Sequence, residues 1–328
     1  MSTLDQLRKY TTIVVDTGDF RLLENYNPQD CTTNPSHILL AAKQSQYSHI
    51  VYSSVNYGIS KSEDIVKQVE HANVRLHVAF GIEILKKIQG RVSTEVDAIH
   101  TFNTENTLNA AREIIRLYEE SGISRERILI KIASTWEGLQ ACKVLEKEGI
   151  HCNMTVLFSL VQAKLAAEVG ATMISPFMSR TMDWWQKNYP GRDYTGNHDP
   201  GVKLVREIHN YYEEASIKTQ IMPASLRSID ECVHLASIEF MTMNPKILQE
   251  LKDTEYLVRP QFSKNPNGNI NSKQIAVVYA GNEPKFRLDI FNDHVASDKI
   301  PESIRIFLND GHELKAMLEE VIKHEVKL

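Results

Sequence analysis

The sequence predicts an α/β protein folded as a closed (β/α)8 barrel, and three observations carry that expectation. Eight short apolar, β-branched runs alternate with longer amphipathic stretches, the rhythm of parallel strands joined by helical crossovers. Gly122, Gly149 and Gly170 each stand just after a helical stretch and just before a strand, where a helix C-cap wants a left-handed residue. The chain has no G-x-G-x-x-G after its first strand and no G-x-x-x-x-G-K-[ST], the usual marks of an open, nucleotide-binding sheet. Its 328 residues exceed the roughly 250 that such a barrel needs, leaving room for extra helices.

Taken in order, strands are expected over residues 12–17, 30–34, 92–97, 127–134, 151–158, 172–177, 219–225 and 240–244. Residues 35–90 read as several helices between the second and third strands. The stretch 106–120 places Leu108, Ala111, Ile114, Ile115 and Tyr118 at helical spacings, and 136–147 does the same with Leu139, Cys142, Val144 and Leu145. Ser134 with Glu137 fits a capping box at the start of that second helix. Residues 262–273 are polar around an Asn267-Gly268 turn and read as a surface loop. A last helix over about 304–324 is expected to pack on the barrel. With no internal repeat and no break in composition, residues 1–328 are expected to form a single domain.

Composition narrows the function. A net charge of −5 and a pI near 6.2 lack the basic excess of a nucleic-acid binder. No apolar run approaches the roughly 18 residues that span a membrane, and Met1 to Lys9 holds no signal-peptide core, so the cytoplasm is the expected compartment. Cys31, Cys142, Cys152 and Cys232 form no CxxC pair, which points to buried reduced thiols and no metal site. The oligomeric state stays open, a homodimer included.

Strand parity supplies candidate site residues. Side chains alternate between faces, and the outward face of a barrel strand meets helices and should be apolar. Ile128, Ile130 and Ile132 therefore point out, leaving Leu129, Lys131 and Ala133 inside. On the first strand Ile13 and Val15 face out, and Val14 and Asp16 in. On the third, Val92, Thr94 and Val96 face out, and Ser93, Glu95 and Asp97 in. On the fifth, Met154 and Val156 face out, and Asn153 and Thr155 in. Ser175 shares a face with Phe177, Ser225 shares one with Arg227, and Asn34 ends the second strand. A lone lysine in a strand is more often a snorkelling residue than a nucleophile, and a lone carboxylate at a strand end is usually a cap. An inward lysine converging with inward Asp16 and Glu95 from separate strands instead resembles a nucleophile with proton-transfer partners.

At these positions the sequence resembles the transaldolase family over nearly its whole length. The resemblance rests on Val15-Asp16-Thr17-Gly18-Asp19, Thr32-Thr33-Asn34-Pro35-Ser36, Gly90 through Asp97, Ile128 through Gly138, Gly149 through Thr155, Ile174-Ser175-Pro176-Phe177 and Asp199-Pro200-Gly201-Val202. It implies a Schiff-base aldolase on a (β/α)8 barrel that moves a dihydroxyacetone unit between sugar phosphates, with no cofactor, because a protonated imine serves as the electron sink. Lys131 then corresponds to the Schiff-base lysine and Asp16 to the acid/base at the bond that breaks. Glu95 and Thr155 correspond to the pair that orients water. Asn34, Asn153 and Ser175 correspond to residues holding the dihydroxyacetone hydroxyls, and Arg180 and Arg227, with Ser225, to the phosphate clamp. Phe177 together with Glu95 favours transfer over simple aldol cleavage. Ser179, Pro223 and Leu226 depart from the family's usual Gly, Gly and Phe, so the phosphate side is where rate and substrate preference are expected to be decided. The alternative to an active transaldolase is a weakly active paralogue that binds sugar phosphate in a regulatory or specialised role.

Overall fold

Eight parallel strands ring a common interior in the computed structural model, which describes residues 1–262 and 277–325. They are β1 (Thr12–Asp16), β2 (Asp30–Thr32), β3 (Val92–Glu95), β4 (Ile128–Ala133), β5 (Cys152–Leu157), β6 (Met173–Pro176), β7 (Gln220–Ile221) and β8 (Phe240–Met243). The hydrogen-bonded order β7-β6-β5-β4-β3-β2-β1-β8 runs round the ring. Across the remaining seam, Thr242 N donates to Pro223 O at 3.1 Å. Pro223 weakens that seam by one donor. In a parallel pair the N and O of one residue face the same neighbour, so the donor that Pro223 lacks is one that would have faced β8.

Thirteen α-helices lie among the described residues. Helix α1 (Thr3–Leu7) precedes the barrel. Between β2 and β3 come α2 (Pro35–Ala42), α3 (Ser48–Lys61) and α4 (Ile65–Leu85). The crossovers from β3 to β6 use α5 (Thr104–Glu120), α6 (Trp136–Lys147) and α7 (Leu160–Glu168). Then follow α8 (Met178–Asn188), α9 (Pro200–Glu214), α10 (Ile229–His234) and α11 (Pro245–Asp253), and finally α12 (Glu283–Asn292) and α13 (His294–Glu325). The β1–β2 connection holds only a 3-10 segment, Phe20–Asn25, rather than an α-helix. Gly122, Gly149 and Gly170 close their helices at φ of +78°, +71° and +80°, as their positions required.

Parity holds through most of the ring. Ile13, Val15, Val92, Ile128, Ile130, Ile132 and Met154 join the core between strands and helices. Inside, Val14, Leu129, Met173 and Met222 form a separate apolar plug. Each lies two residues before Asp16, Lys131, Ser175 or Ala224, so this plug is the floor beneath the polar layer. The expected loop at 262–273 lies, apart from Phe262, outside the described residues.

Four expectations need correcting. Val156 does not face out. The β5–β6 register shifts between Met154 and Leu157, and Val156 sits at φ +56°, unusual for a β-branched residue. This bulge turns Val156 into a cluster with Phe158, Phe177, Ala224 and Phe307 and leaves Leu157 to the outer core. Buried Gln162 braces it, donating to Val156 O at 2.9 Å and accepting from Phe158 N at 2.8 Å. Asp97 does not face in, because β3 ends at Glu95; its carboxylate instead meets Lys315 on α13 at 2.6 Å. Thr135, not Ser134, caps α6, accepting from Gly138 N at 3.1 Å, while Ser134 donates to Thr155 O across the sheet at 2.8 Å. Helix α13 starts at His294, well before 304, and contains Pro301. Its Leu314, Leu318 and Ile322 pack on α2–α4, and its Ala296, Ile304 and Phe307 cover the barrel mouth.

Candidate active site

Lys131 projects from β4 just above the apolar floor and is 4% exposed. The ladder registers set its neighbours: Glu95 on β3 and Asn153 on β5 lie level with it on either side. Lys131 Nζ stands 3.1 Å from Glu95 Oε2 and donates to Thr33 O at 3.2 Å. Burial pushes the Glu95 carboxyl up, against the pull of Lys131.

Asp16 ends β1 with the opposite balance. Burial alone would raise its pKa, but His37, Lys131 and the Thr32 hydroxyl together hold it down at about 2. Thr32 Oγ1 donates to Asp16 Oδ1 at 2.7 Å and meets Thr242 Oγ1 at 2.7 Å; His37 Nδ1 is 3.3 Å away. Asp16 is thus an ionised base at neutral pH, while Glu95 is the easier carboxylate to protonate.

Asp16 and Lys131 flank the floor of a cavity of about 270 Å³ at the C-terminal ends of the strands, the end at which barrel enzymes build their sites. Lys131, Asp16, Asn34, Ser175, Phe177, Arg180, Ser225 and Arg227 all line it. Asn34 lies beyond β2 and caps α2, its Oδ1 accepting from His37 N at 2.9 Å, which helps place His37 beside Asp16. Ser175 Oγ donates to Asn153 Oδ1 at 2.7 Å, and Asn153 Nδ2 donates to Ser93 Oγ at 3.1 Å. Asn153, Glu95 and Thr155 sit behind the lining rather than on it. Thr155 is fully buried, and its hydroxyl has no hydrogen-bond partner among the described residues.

The opposite end of the cavity is cationic. Arg180, on the first turn of α8, lies between the rings of Phe177 and Phe307, 5.3 and 5.4 Å from their centroids, and its Nη1 is buried without a partner among the described residues. Burial lowers its pKa. Arg227 is more exposed and makes a paired contact with Asp183 at 2.6 and 2.9 Å. Beyond β7 the chain hugs the start of α8: Met178 N donates to Ala224 O at 3.0 Å and Ser179 N to Ser225 O at 3.3 Å. Ser225 then turns through φ +59°, and Arg227 N is held by Glu231 Oε2 at 2.6 Å. Leu226 is buried in the core outside the strands.

The arrangement combines an amine shielded from water, two carboxylates of opposite proton affinity, amide and hydroxyl groups above them, and guanidinium groups at the far end. Such a set of groups is suited to covalent chemistry on a phosphorylated carbonyl compound.

The sequence pattern of the transaldolase/fructose-6-phosphate aldolase family matches residues 13–318. The chain belongs to this family. The transaldolase of Saccharomyces cerevisiae is 47% identical over 327 residues, covering 98% of this chain and 96% of that protein. The transaldolase of Schizosaccharomyces pombe is 46% identical over 321 residues, covering 97% and 98%. That of Shewanella baltica is 44% identical over 317 residues, again covering 97% and 98%. Family membership accords with the eight-stranded barrel. Among the described residues no helix is long and apolar enough to cross a membrane.

Sequence reasoning missed His37, Thr32, Thr242, Asp183 and Phe307. His37 carried a usable signal, three residues after a capping asparagine and so on the first turn facing β1. Phe307 carried none, since α13 reaches the mouth only through the tertiary fold.

Proposed function

We propose that this protein is a transaldolase. It moves a dihydroxyacetone unit from sedoheptulose 7-phosphate, or fructose 6-phosphate, to glyceraldehyde 3-phosphate, or erythrose 4-phosphate, through a Schiff base on Lys131. The observation that carries this reading is Lys131 itself, buried beside Glu95 at one end of a cavity whose other end is lined by Arg180 and Arg227.

Glu95 takes a proton from the Lys131 ammonium, and the free amine adds to the ketone at C2. The proton then passes from Glu95 to the hydroxyl of the carbinolamine. The C2–O bond breaks, water leaves, and the nitrogen lone pair forms the protonated imine. Thr155, buried with its hydroxyl free of partners among the described residues, orients the water that takes part. Asp16, ionised at neutral pH, removes the proton of the C4 hydroxyl. The C3–C4 bond breaks, its electrons move into the imine, and an aldose phosphate departs. Asn34, Asn153 and Ser175 hold the hydroxyls of the dihydroxyacetone left on Lys131. An acceptor aldose phosphate, held by Arg180, Arg227 and Ser225, then takes it in the reverse sequence. Phe177 keeps an apolar ring at the mouth in place of a proton donor, so the enamine waits for the acceptor. Four free, buried cysteines suit a reducing compartment, and we place the protein in the cytoplasm.

Borohydride reduction with fructose 6-phosphate tests the reading. The expected result is a dihydroxyacetone adduct on Lys131 by mass spectrometry, absent from Lys131→Ala, whose transfer rate falls by about 10⁴-fold or more. No adduct on the parent at high enzyme concentration would sink it.

A further inference from the structure

Glu95 lies between two cavities. A second cavity of about 360 Å³ opens behind β3, among α4, α5 and α13. Glu95 lines this rear cavity and not the front one, whereas Lys131 lines the front one and not the rear. Their ion pair is therefore the partition between the two.

The rear cavity has a mixed lining with buried polar side chains on its inner wall. His77 and Asn73, on α4, line it and are only 6% and 5% exposed. His77 Nδ1 and Asn73 Oδ1 are buried with no hydrogen-bond partner among the described residues. Burial pulls His77 down to about 4, so its imidazole is neutral and offers one donor and one acceptor. Such buried atoms are costly unless water satisfies them. Exposed Asn106 and Asn109 stand at the solvent side of the same cavity.

We propose that the rear cavity is a water channel through which Glu95 exchanges the water and proton of the Lys131 Schiff-base steps with solvent, with His77 and Asn73 as positioning residues. The inference rests on the Schiff-base reading above. A bound ketose phosphate occupies the front cavity from Lys131 to Arg180. The water formed when C2 loses its hydroxyl must leave by another way, and Glu95, which protonates that hydroxyl, already faces the rear. Hydrolysis of the imine needs water to return by the same route.

The test follows oxygen. Fructose 6-phosphate and erythrose 4-phosphate are incubated with enzyme in ¹⁸O-water, and label at C2 of the ketose formed, above the enzyme-free rate, is divided by transfer events. The parent is expected to incorporate label readily. Ala110→Phe, which places a ring in the channel, and His77→Leu are expected to lower label per transfer at least fivefold with KM unchanged. His77→Gln is expected to restore it. For a measurement independent of folding, exposed Asn109→Cys is alkylated with a bulky maleimide after purification; the native cysteines are buried. The ratio is read before and after on one sample and is expected to fall. Unchanged label per transfer in the blocked forms, with the parent still exchanging, overturns the channel alone. A parent with neither exchange nor a Lys131 adduct overturns the Schiff-base reading with it.

Discussion

The two ends of the front cavity are built differently. At the reactive end, Lys131, Glu95 and Asp16 project from strands whose ladder registers fix their relative heights; Lys131 and Glu95 are deeply buried and Asp16 partly so. At the phosphate end, Arg180 begins a helix, Arg227 follows a left-handed turn, and Asp183 holds Arg227 in a half-exposed pair. On the proposed function, the difference teaches that chemistry is mounted on the rigid sheet and substrate choice on the loops above it. Substitutions at the first end should act on kcat, and those at the second mainly on KM.

The largest expected effect that divides the two ends comes from Asp16→Asn. Transfer should fall about 10³-fold, while the borohydride-trapped adduct on Lys131 still forms from fructose 6-phosphate. Loss of the adduct as well would place Asp16 in imine formation and blur the division of labour.

Next come the two arginines. Arg180→Ala removes a partly buried guanidinium and should lower kcat/KM by about 10- to 100-fold, chiefly through KM, as for a charge-assisted hydrogen bond. Arg227→Ala should cost less than about tenfold, because its charge is solvent-screened and already engaged by Asp183. Equal losses from both would show that Asp183 releases Arg227 to the substrate.

The two carboxylates should also divide in stability against pH. Asp16 has a folded pKa of about 2, below its ordinary value. Its contribution, roughly 2 kcal/mol, is full above the unfolded value near 3.8 and is lost as pH falls toward 2. Glu95 has a raised folded pKa, so its contribution is full below the ordinary value and declines as pH rises through the folded one. Denaturant titrations of Asp16→Asn should therefore converge on the parent from pH 4 toward pH 2. For Glu95→Gln, stability relative to the parent should rise from pH 4 upward. Parallel curves would remove the assigned asymmetry.

The smallest effect is expected at the seam. Pro223→Gly restores a donor toward β8 but loosens the unfolded chain, two terms of about 1 kcal/mol and opposite sign. The melting temperature should move by a few degrees at most and kcat/KM by less than about threefold. A larger gain would mean that Pro223 sets the position of Arg227.

Most of the ring was legible because two-residue periodicity states which face each side chain takes. That rule put Lys131, Glu95, Asp16, Asn153 and Ser175 inside without any knowledge of distance. It failed at Val156, where an extra residue enters one strand, and at Asp97, where the strand had already ended. Neither a bulge nor a strand end leaves a hydrophobic signature.

The sequence by itself determined the barrel, the inward lysine with its carboxylates, and the family, since these depend on local alternation and on ordered motifs. Only the tertiary structure decided that His37 steadies Asp16, that Phe307 stacks on Arg180 from far along the chain, and that Glu95 divides a front cavity from a rear one. Those are contacts between segments widely separated in sequence, and local patterning does not encode what a folded neighbour brings across the gap.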